Sequence, residues 1–472
     1  MLPRGPASVA DRAGAFVLRL SPFARMVEEP EGRFAFQVGR VSLPVMEPEN
    51  GLLAALKTLA GDGATEKELI HEADSADGFP AVLKLHYYLD ELFQQGWLSH
   101  AMYREGAPFA TCVPIQRDHR FEGPPIDPAA LYQSSRFACC RRSGSELILE
   151  SPLARAHVVL HDWRAAALWA QLAAARRAAD FGADIPGAGG ETARMFLELL
   201  LNAGFLNPED AAPGLAQWEF HDLYFHSRSR EGRHANPYGA TNRFRGIADR
   251  PPAVKPPMSE DAIPLYRPDL GQLLETDVSL TRALEERRSR RTHGPESITA
   301  RELGEFLYRT ARAIEIIPMA DSEVSRRVYP GGGAAYELEI YAAVNQCRGL
   351  DSGFYQYRPL EHELCKLSGR TSDVEWLLEN AGFTASCPPP QVLFEIAARF
   401  GRVSWRYSSV AYATILKDVG VLYQTMYLVA EAMGLAACAL GGGHSDMFAR
   451  TAGTNYYEET SVGEFMLGRR EE

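Results

Sequence analysis

Apolar residues recur along the first 124 positions with two different periods. Short runs at Phe16 to Leu20 and Phe34 to Val38 read as strands. Between Leu52 and Ala60, Glu66 and Ala73, and Ala81 and Gln95 the apolar positions return every three to four residues, which predicts three helices. Trp97 to Tyr103 then predicts a returning strand. Three helices with a small β wing form the winged-helix arrangement.

Positions 125–250 repeat that order. Strands are expected at Ser145 to Glu150 and Ala156 to His161, and helices at Asp162 to Ala174 and Glu191 to Ala203, with a Gly/Pro loop from Gly182 to Gly190 between the helices. The endings Gln95-Gly96-Trp97-Leu98 and Ala203-Gly204-Phe205-Leu206 match, with glycine closing a helix before an aromatic-leucine strand start. The pattern predicts a tandem pair of winged-helix-like domains, 1–124 and 125–250.

Pro251-Pro252, Pro256-Pro257 and the acidic Ser259-Glu260-Asp261 then mark a linker and lead-in over 251–280. The remainder, 281–472, has an α+β pattern. Apolar strands are expected at Leu338 to Val344 and Val392 to Ala398, and a hairpin through Gly353 to Tyr357 and Glu363 to Leu367. A helix from Ala411 to Met433 is apolar on nearly all sides, as expected for a core helix.

Composition narrows the function classes. The longest apolar stretch, Val419 to Leu440, is broken by Gln424, Thr425 and Glu431, so a buried helix fits better than a membrane span. Arg4, Asp11 and Arg12 interrupt any apolar signal core at the start. Seven cysteines without a C-x-x-C pair argue against a disulfide framework, and a reduced cytoplasmic setting is expected. The twelve histidines form no metal-ligating spacing, so no metal is expected. Neither G-x-G-x-x-G nor G-x-x-x-x-G-K-[ST] occurs, so any nucleotide-like ligand must be held another way.

Winged helices suggest DNA, but the charges disagree. Ala81 to Gly96 sets Lys84 against Asp90 and Glu91, and Glu191 to Ala203 sets Arg194 against Glu191 and Glu198. A helix entering a groove must neutralise phosphates. The shape can instead clamp an extended peptide as an added strand, or serve as inert scaffold.

Against a net charge of -12, the run Arg287-Arg288-Ser289-Arg290-Arg291 stands out. Guanidinium groups present a planar fork of donors suited to phosphate oxygens. Alone, such a helix end is an ordinary solvated surface. Three further segments change that picture: Tyr329-Pro330-Gly331-Gly332-Gly333-Ala334-Ala335-Tyr336 before a strand, Leu440-Gly441-Gly442-Gly443, and the C-terminal Leu467-Gly468-Arg469-Arg470. Consecutive glycines let backbone amides approach a ligand, and a second basic pair could complete a phosphate cage.

In this order the four segments resemble the FMN-binding nitroreductase superfamily, and most of all its azoline (thiazoline/oxazoline) dehydrogenases of ribosomal peptide biosynthesis. The family's R-R-S-x-R is similar to Arg287, Arg288, Ser289 and Arg291, which the resemblance makes ligands of FMN. Its Y-P-S-G-G-A-x-Y-P-L-E-x-Y is similar to Tyr329 through Tyr341, with Gly331 in place of serine and Glu337 in place of proline. Its G-x-Y-x-Y hairpin is visible at Gly353 to Tyr357, and its G-x-G-A-C-x-x-G-G looks like Gly434 to Gly442. The upstream regions, including Phe225 to His234, resemble the peptide-clamp domains of cyanobactin thiazoline oxidases.

The resemblance implies FMN as cofactor, a homodimer with the Pro330-Gly331-Gly332 loop reaching the second flavin, and an azoline-containing peptide as substrate. Gly441 and Gly442 would border the flavin, and Arg469 and Arg470 would close on its phosphate. In that branch a Lys-Tyr pair precedes the core helix. Tyr407 matches it as candidate base, while Arg406 stands where lysine is usual and is left an electrostatic role. A phenol with an ordinary pKa near ~10 would need lowering, which Arg406 could supply. Many reducing members carry a glutamate near Gly441, and its absence here is consistent with a site not built for nicotinamide. Two other readings stay open: an NAD(P)H-dependent nitro or quinone reductase on the same fold, and a non-catalytic leader-peptide delivery protein.

Overall fold

Thr65 accepts the backbone N–H of Glu68, and the Glu68 carboxylate accepts the Thr65 N–H at 2.7 Å, so a reciprocal cap starts the helix Glu66–Asp77. Asp162 caps Trp163–Gln171 in a simpler way, and Gly204 ends Glu191–Ala203 in the left-handed region at φ 84°. These local signals fix the helices of the first of two units, which divide between Asn236 and Pro237 in the computed structural model. Residues 15–117, 119–206, 213–319 and 322–471 are described. Arg4, Asp11 and Arg12 lie outside them.

In the N-terminal unit the helices Asn50–Ala60, Glu66–Asp77 and Phe79–Gln94 pack with a three-stranded wing, Arg25–Glu29, Arg33–Val38 and Val41–Val45. Leu52, Leu56, Leu85 and Leu92 make their core. A second core gathers Phe109, Leu168, Phe196 and Phe205. The two halves share one antiparallel sheet, in the order Val17–Leu20, Leu98–Arg104, Ala107–Pro114, Ala156–Leu160, Glu146–Glu150 and Cys139–Ser143. Pairing of Val158 with Cys112 joins the halves.

The C-terminal unit is built on seven antiparallel strands. Their order is Ala262–Pro264, Glu363–Gly369, Gly353–Arg358, Leu338–Val344, Val392–Arg399, Glu459–Arg469 and Leu435–Leu440. All seven residues of Leu338–Val344 are buried, because alternate side chains enter different cores. Leu338, Ile340, Ala342 and Val344 meet Phe306 and Leu307 of the helix Ala300–Ala311 and Leu422 of the long helix Ala411–Ala432. Tyr341 and Ala343 meet Leu377 of the helix Ser372–Ala385 and Phe448 of the helix Ser445–Ala452. Each fully buried large side chain, such as Phe394, stabilises this packing by roughly 1.5–3 kcal/mol.

Two expectations need correction. The long helix is not buried on all sides: Ile415, Val419, Leu422, Met426 and Ala430 form one inward stripe, while Tyr412 and Leu416 remain 46% and 40% exposed. The spacing of those buried positions is that of a single helix face, so one layer of the sheet can cover only that face. Residues 237–250 do not close the second winged domain. Gly239–Ala240 pairs with Tyr407–Ser408 inside the C-terminal unit.

Candidate functional site

The helix Leu280–Glu286 starts on the Ser279 hydroxyl and stops at Arg287. From there the arginine run lies along Leu435–Leu440, with the Arg290 N–H bound to the Ala437 carbonyl at 2.9 Å. Tyr427, on the long helix, ties the two segments together. Its hydroxyl accepts the Ala439 N–H at 2.8 Å and lies 2.9 Å from Ser289 Oγ, while the Arg287 guanidinium stands over its ring at 5.1 Å. The glycine loop begins two residues beyond Ala439, so Ser289 and Gly441 belong to one end of one strand. A Cβ built at Gly441 or Gly442 would meet nothing within 4 Å, so the loop borders open space.

Arg288 and Arg291 are exposed, and Arg288 caps its own helix end through the carbonyls of Glu285 and Arg287 at 3.0 and 2.9 Å. Arg291 lies near Cys387, whose thiol is pushed up by burial and drawn down by that guanidinium.

The C-terminal arginines separate. Arg470 pairs with Glu431 at 2.6 Å, where Arg290 also arrives at 3.7 Å. Arg469 turns the other way, to Glu302 at 3.0 Å and to Glu296. Arg469 ends a strand, and successive residues there face opposite sides. The expected meeting of guanidinium groups from both ends of the region therefore occurs between Arg290 and Arg470, around a carboxylate, and without Arg469.

Tyr407 and Arg406 occupy a different place. The Arg406 guanidinium lies 5.3 Å from the Tyr407 ring centroid, and the Asn242 N–H holds the Arg406 carbonyl at 2.9 Å. The Tyr407 hydroxyl rests against Gly333, where an added Cβ would come within 2.1 Å of it. Gly333 has φ 59°, a backbone that disfavours any side chain. Exposed Pro330 and half-buried Gly331 lead into that contact, and the Gly332 N–H binds both Asp418 carboxylate oxygens at 2.9 and 3.0 Å. Tyr407 thus sits beside the Asp418 end of the long helix, whereas the arginine run meets its Tyr427 and Glu431 end. From Asp418 to Glu431 the helix rises roughly 20 Å.

Sequence reasoning missed Asp418, Tyr427 and Glu464. Asp418 was open to detection as one of two carboxylates in a largely apolar helix. Glu464 corrects the inference drawn from a missing glutamate: from the last strand it places its carboxyl directly against Gly443. There it pairs with the fully buried Glu395: burial raises both carboxyls, Glu464 adds to the rise at Glu395, and hydrogen bonds with Ser461 and Glu395 partly offset the rise at Glu464. Among the described residues the one metal-like cluster, Glu219, His221 and Asp222, is fully exposed and distant in sequence from these loops.

Residues 284–469 match the nitroreductase family, so the C-terminal unit is an oxidoreductase of that class. Residues 132–235 match cyanobactin oxidase ThcOx, and residues 15–123 match the ThcOx helix-turn-helix domain. Along the chain the matches thus run from a ThcOx helix-turn-helix domain through a cyanobactin-oxidase segment to a nitroreductase domain.

A Methanocaldococcus jannaschii protein described as a candidate nitroreductase is 27% identical over 183 residues, 38% of this chain and 85% of its own. Among solved structures, a candidate nitroreductase from Anabaena variabilis is 20% identical across 52% of this chain, with a TM-score of 0.37. The chain spans only 45% of that protein's length. The Escherichia coli microcin synthetase McbBCD complex with truncated pro-MccB17 bound is 16% identical across 53% of this chain and 92% of that one, with a TM-score of 0.34.

Proposed function

We propose that this protein oxidises a thiazoline, or less readily an oxazoline, within a cytoplasmic precursor peptide to the aromatic azole, using FMN. The observation that carries this reading is the link from Ser289 through Tyr427 to Ala439. It sets exposed guanidinium groups and an unobstructed glycine loop at one strand end. Those donors suit a phosphate, a ribityl chain and the edge of a flat ring. Arg288, Arg291 and Ser289 would hold the phosphate and ribityl groups, and the Gly441 and Gly442 amides would face the ring.

Bound FMN would supply the hydride acceptor and be returned to its oxidised form by oxygen. Tyr407 would take the proton from the ring carbon that was Cα while the adjacent ring carbon gives up hydride. Arg406, over the Tyr407 face, would stabilise the negative charge.

One chain keeps Tyr407 and the arginine run at opposite ends of the long helix. A homodimer across the outer face of that helix would resolve this, bringing the Tyr407 of one copy to the arginine run of the other. Leu416→Asp on that face is expected to weaken self-association by about 30-fold or more, measured by light scattering over a dilution series. Unchanged dissociation would remove the dimer from this reading.

The winged-helix domains would hold the peptide leader. On Phe79–Gln94, the side chains of Phe79, Leu83 and Tyr87 are 67%, 55% and 56% exposed along one helix face. The strand Val41–Val45 is an edge of the wing, and Tyr88 binds the Met46 N–H at 2.8 Å just beyond it. An apolar helix face beside an unpaired strand edge suits an extended segment that adds as a strand.

Purified protein is expected to absorb near about 450 nm and to make an azoline peptide about 2 Da lighter in air. Flavin-loaded protein that leaves the peptide unchanged, but bleaches with NADPH and turns over a nitroaromatic, would establish the reductase reading instead.

A further inference from the structure

Glu337 is completely buried, and neither of its carboxyl oxygens has a hydrogen-bond partner of the ordinary kind among the described residues. It directly follows the glycine loop and faces Asp418 across the junction with the long helix. Two carboxyls that face each other away from water cannot both carry charge, so one proton must lie between them. Burial, and then Asp418 opposite, raise Glu337 to about 7. Burial raises Asp418 as well, but the Gly332 N–H, the hydrogen bond with Glu337 and Lys417 oppose that rise and favour its charged form, which leaves the proton on Glu337.

The other groups facing the pair are Arg327, from the strand Ser322–Arg327, and Tyr329, which lies near Arg327, Glu337 and Glu339. The loop itself has little room to move. A Cβ at Gly332 would come within 2.2 Å of Thr414 Cγ2, and one at Gly333 within 2.1 Å of the Tyr407 hydroxyl. Gly332 therefore packs on the helix while Gly333 packs on Tyr407, and what fixes the first fixes the second.

We propose that Glu337 and Asp418 are positioning residues for Tyr407: bridged by one proton, the two carboxyls clamp Gly332 to the long helix and hold Gly333 against the Tyr407 hydroxyl. This deepens the oxidase reading and depends on it only where turnover is measured. Glu337 holds its proton more tightly in the folded chain than at its ordinary value of 4.5. The clamp is therefore complete below pH 4.5 and is lost as pH rises through about 7, when two facing anions repel.

The test compares the full-length wild type with E337Q, whose amide donates to Asp418 without titrating, and with D418A. Hydrogen exchange across residues 329–336 needs neither flavin nor substrate. After correction for intrinsic rates, exchange there should quicken about ten-fold between pH 6.5 and 8.5 in wild type, stay flat in E337Q, and be fast at both pH values in D418A. In turnover of an azoline peptide, the ratio of kcat at pH 8.5 to kcat at pH 6.5 should rise about five-fold in E337Q relative to wild type. Parallel exchange in wild type and E337Q would overturn the carboxyl clamp. Divergent exchange with superimposable pH profiles of kcat would overturn the positioning role. Divergent exchange with no turnover by any form would keep the clamp and sink the oxidase reading.

Discussion

Alanine at Arg288 and Arg291 together is expected to give a folded protein that has lost its flavin. Both side chains are exposed, and Arg288 contacts only carbonyls of its own helix end within the described residues. Their removal leaves no buried charge unpaired. A guanidinium–phosphate hydrogen bond contributes about 1.5–3 kcal/mol, so losing two should weaken FMN binding by roughly 150- to 20,000-fold. Fluorescence titration of the stripped protein with FMN reads this directly. Arg469→Ala is the informative contrast. It breaks the pairs with Glu302 and Glu296, so it should lower thermal stability while leaving the flavin bound. A double variant that binds FMN within about threefold of wild type would remove the arginine run from the site.

Tyr407→Phe should lower kcat for azoline oxidation by about 100- to 10,000-fold, the range a positioned proton-transfer group supplies. Flavin affinity should stay unchanged, because the proposed phosphate and ribityl contacts come from the arginine run and Ser289 and none comes from the Tyr407 hydroxyl. The ring can remain half-buried beside Gly333 and beneath Arg406, so the change removes one oxygen and little packing. Rapid-mixing measurement of flavin bleaching by an azoline peptide isolates this step from reoxidation. A variant that bleaches at the wild-type rate would show that another group takes the proton.

The helices were the most legible part of the sequence. Their apolar residues repeat with a helical period, and Thr65, Asp162 and Gly204 announce their ends. Strands with polar sequences escaped notice. Arg25–Glu29 and Cys139–Ser143 lie at sheet edges, where water satisfies one side and no apolar alternation is imposed. Ala107–Pro114 was missed for a different reason: its partners lie on both sides of it in sequence, and long-range pairing leaves no local trace. The same limit explains Arg469 and Arg470. As neighbours in sequence they suggested one cage, but the strand Glu459–Arg469 turns them to opposite faces. Of the polar groups around the candidate site, the arginine run and the glycine loops stood out by residue type, and only their order and resemblance to a known family gave them a role. The pairings of Glu337 with Asp418 and of Glu395 with Glu464 could not be read, because each joins residues far apart in the chain.

The strand Ala107–Pro114 has a further bearing on how this protein can be divided. It forms hydrogen bonds on both flanks, with Leu98–Arg104 and with Ala156–Leu160, so neither winged-helix half owns its own border. Severing the gene near position 124 would bare a raw backbone seam on each fragment, ready to stick to any passing strand. The tandem pair is best regarded as a single heritable piece, lost or transplanted whole.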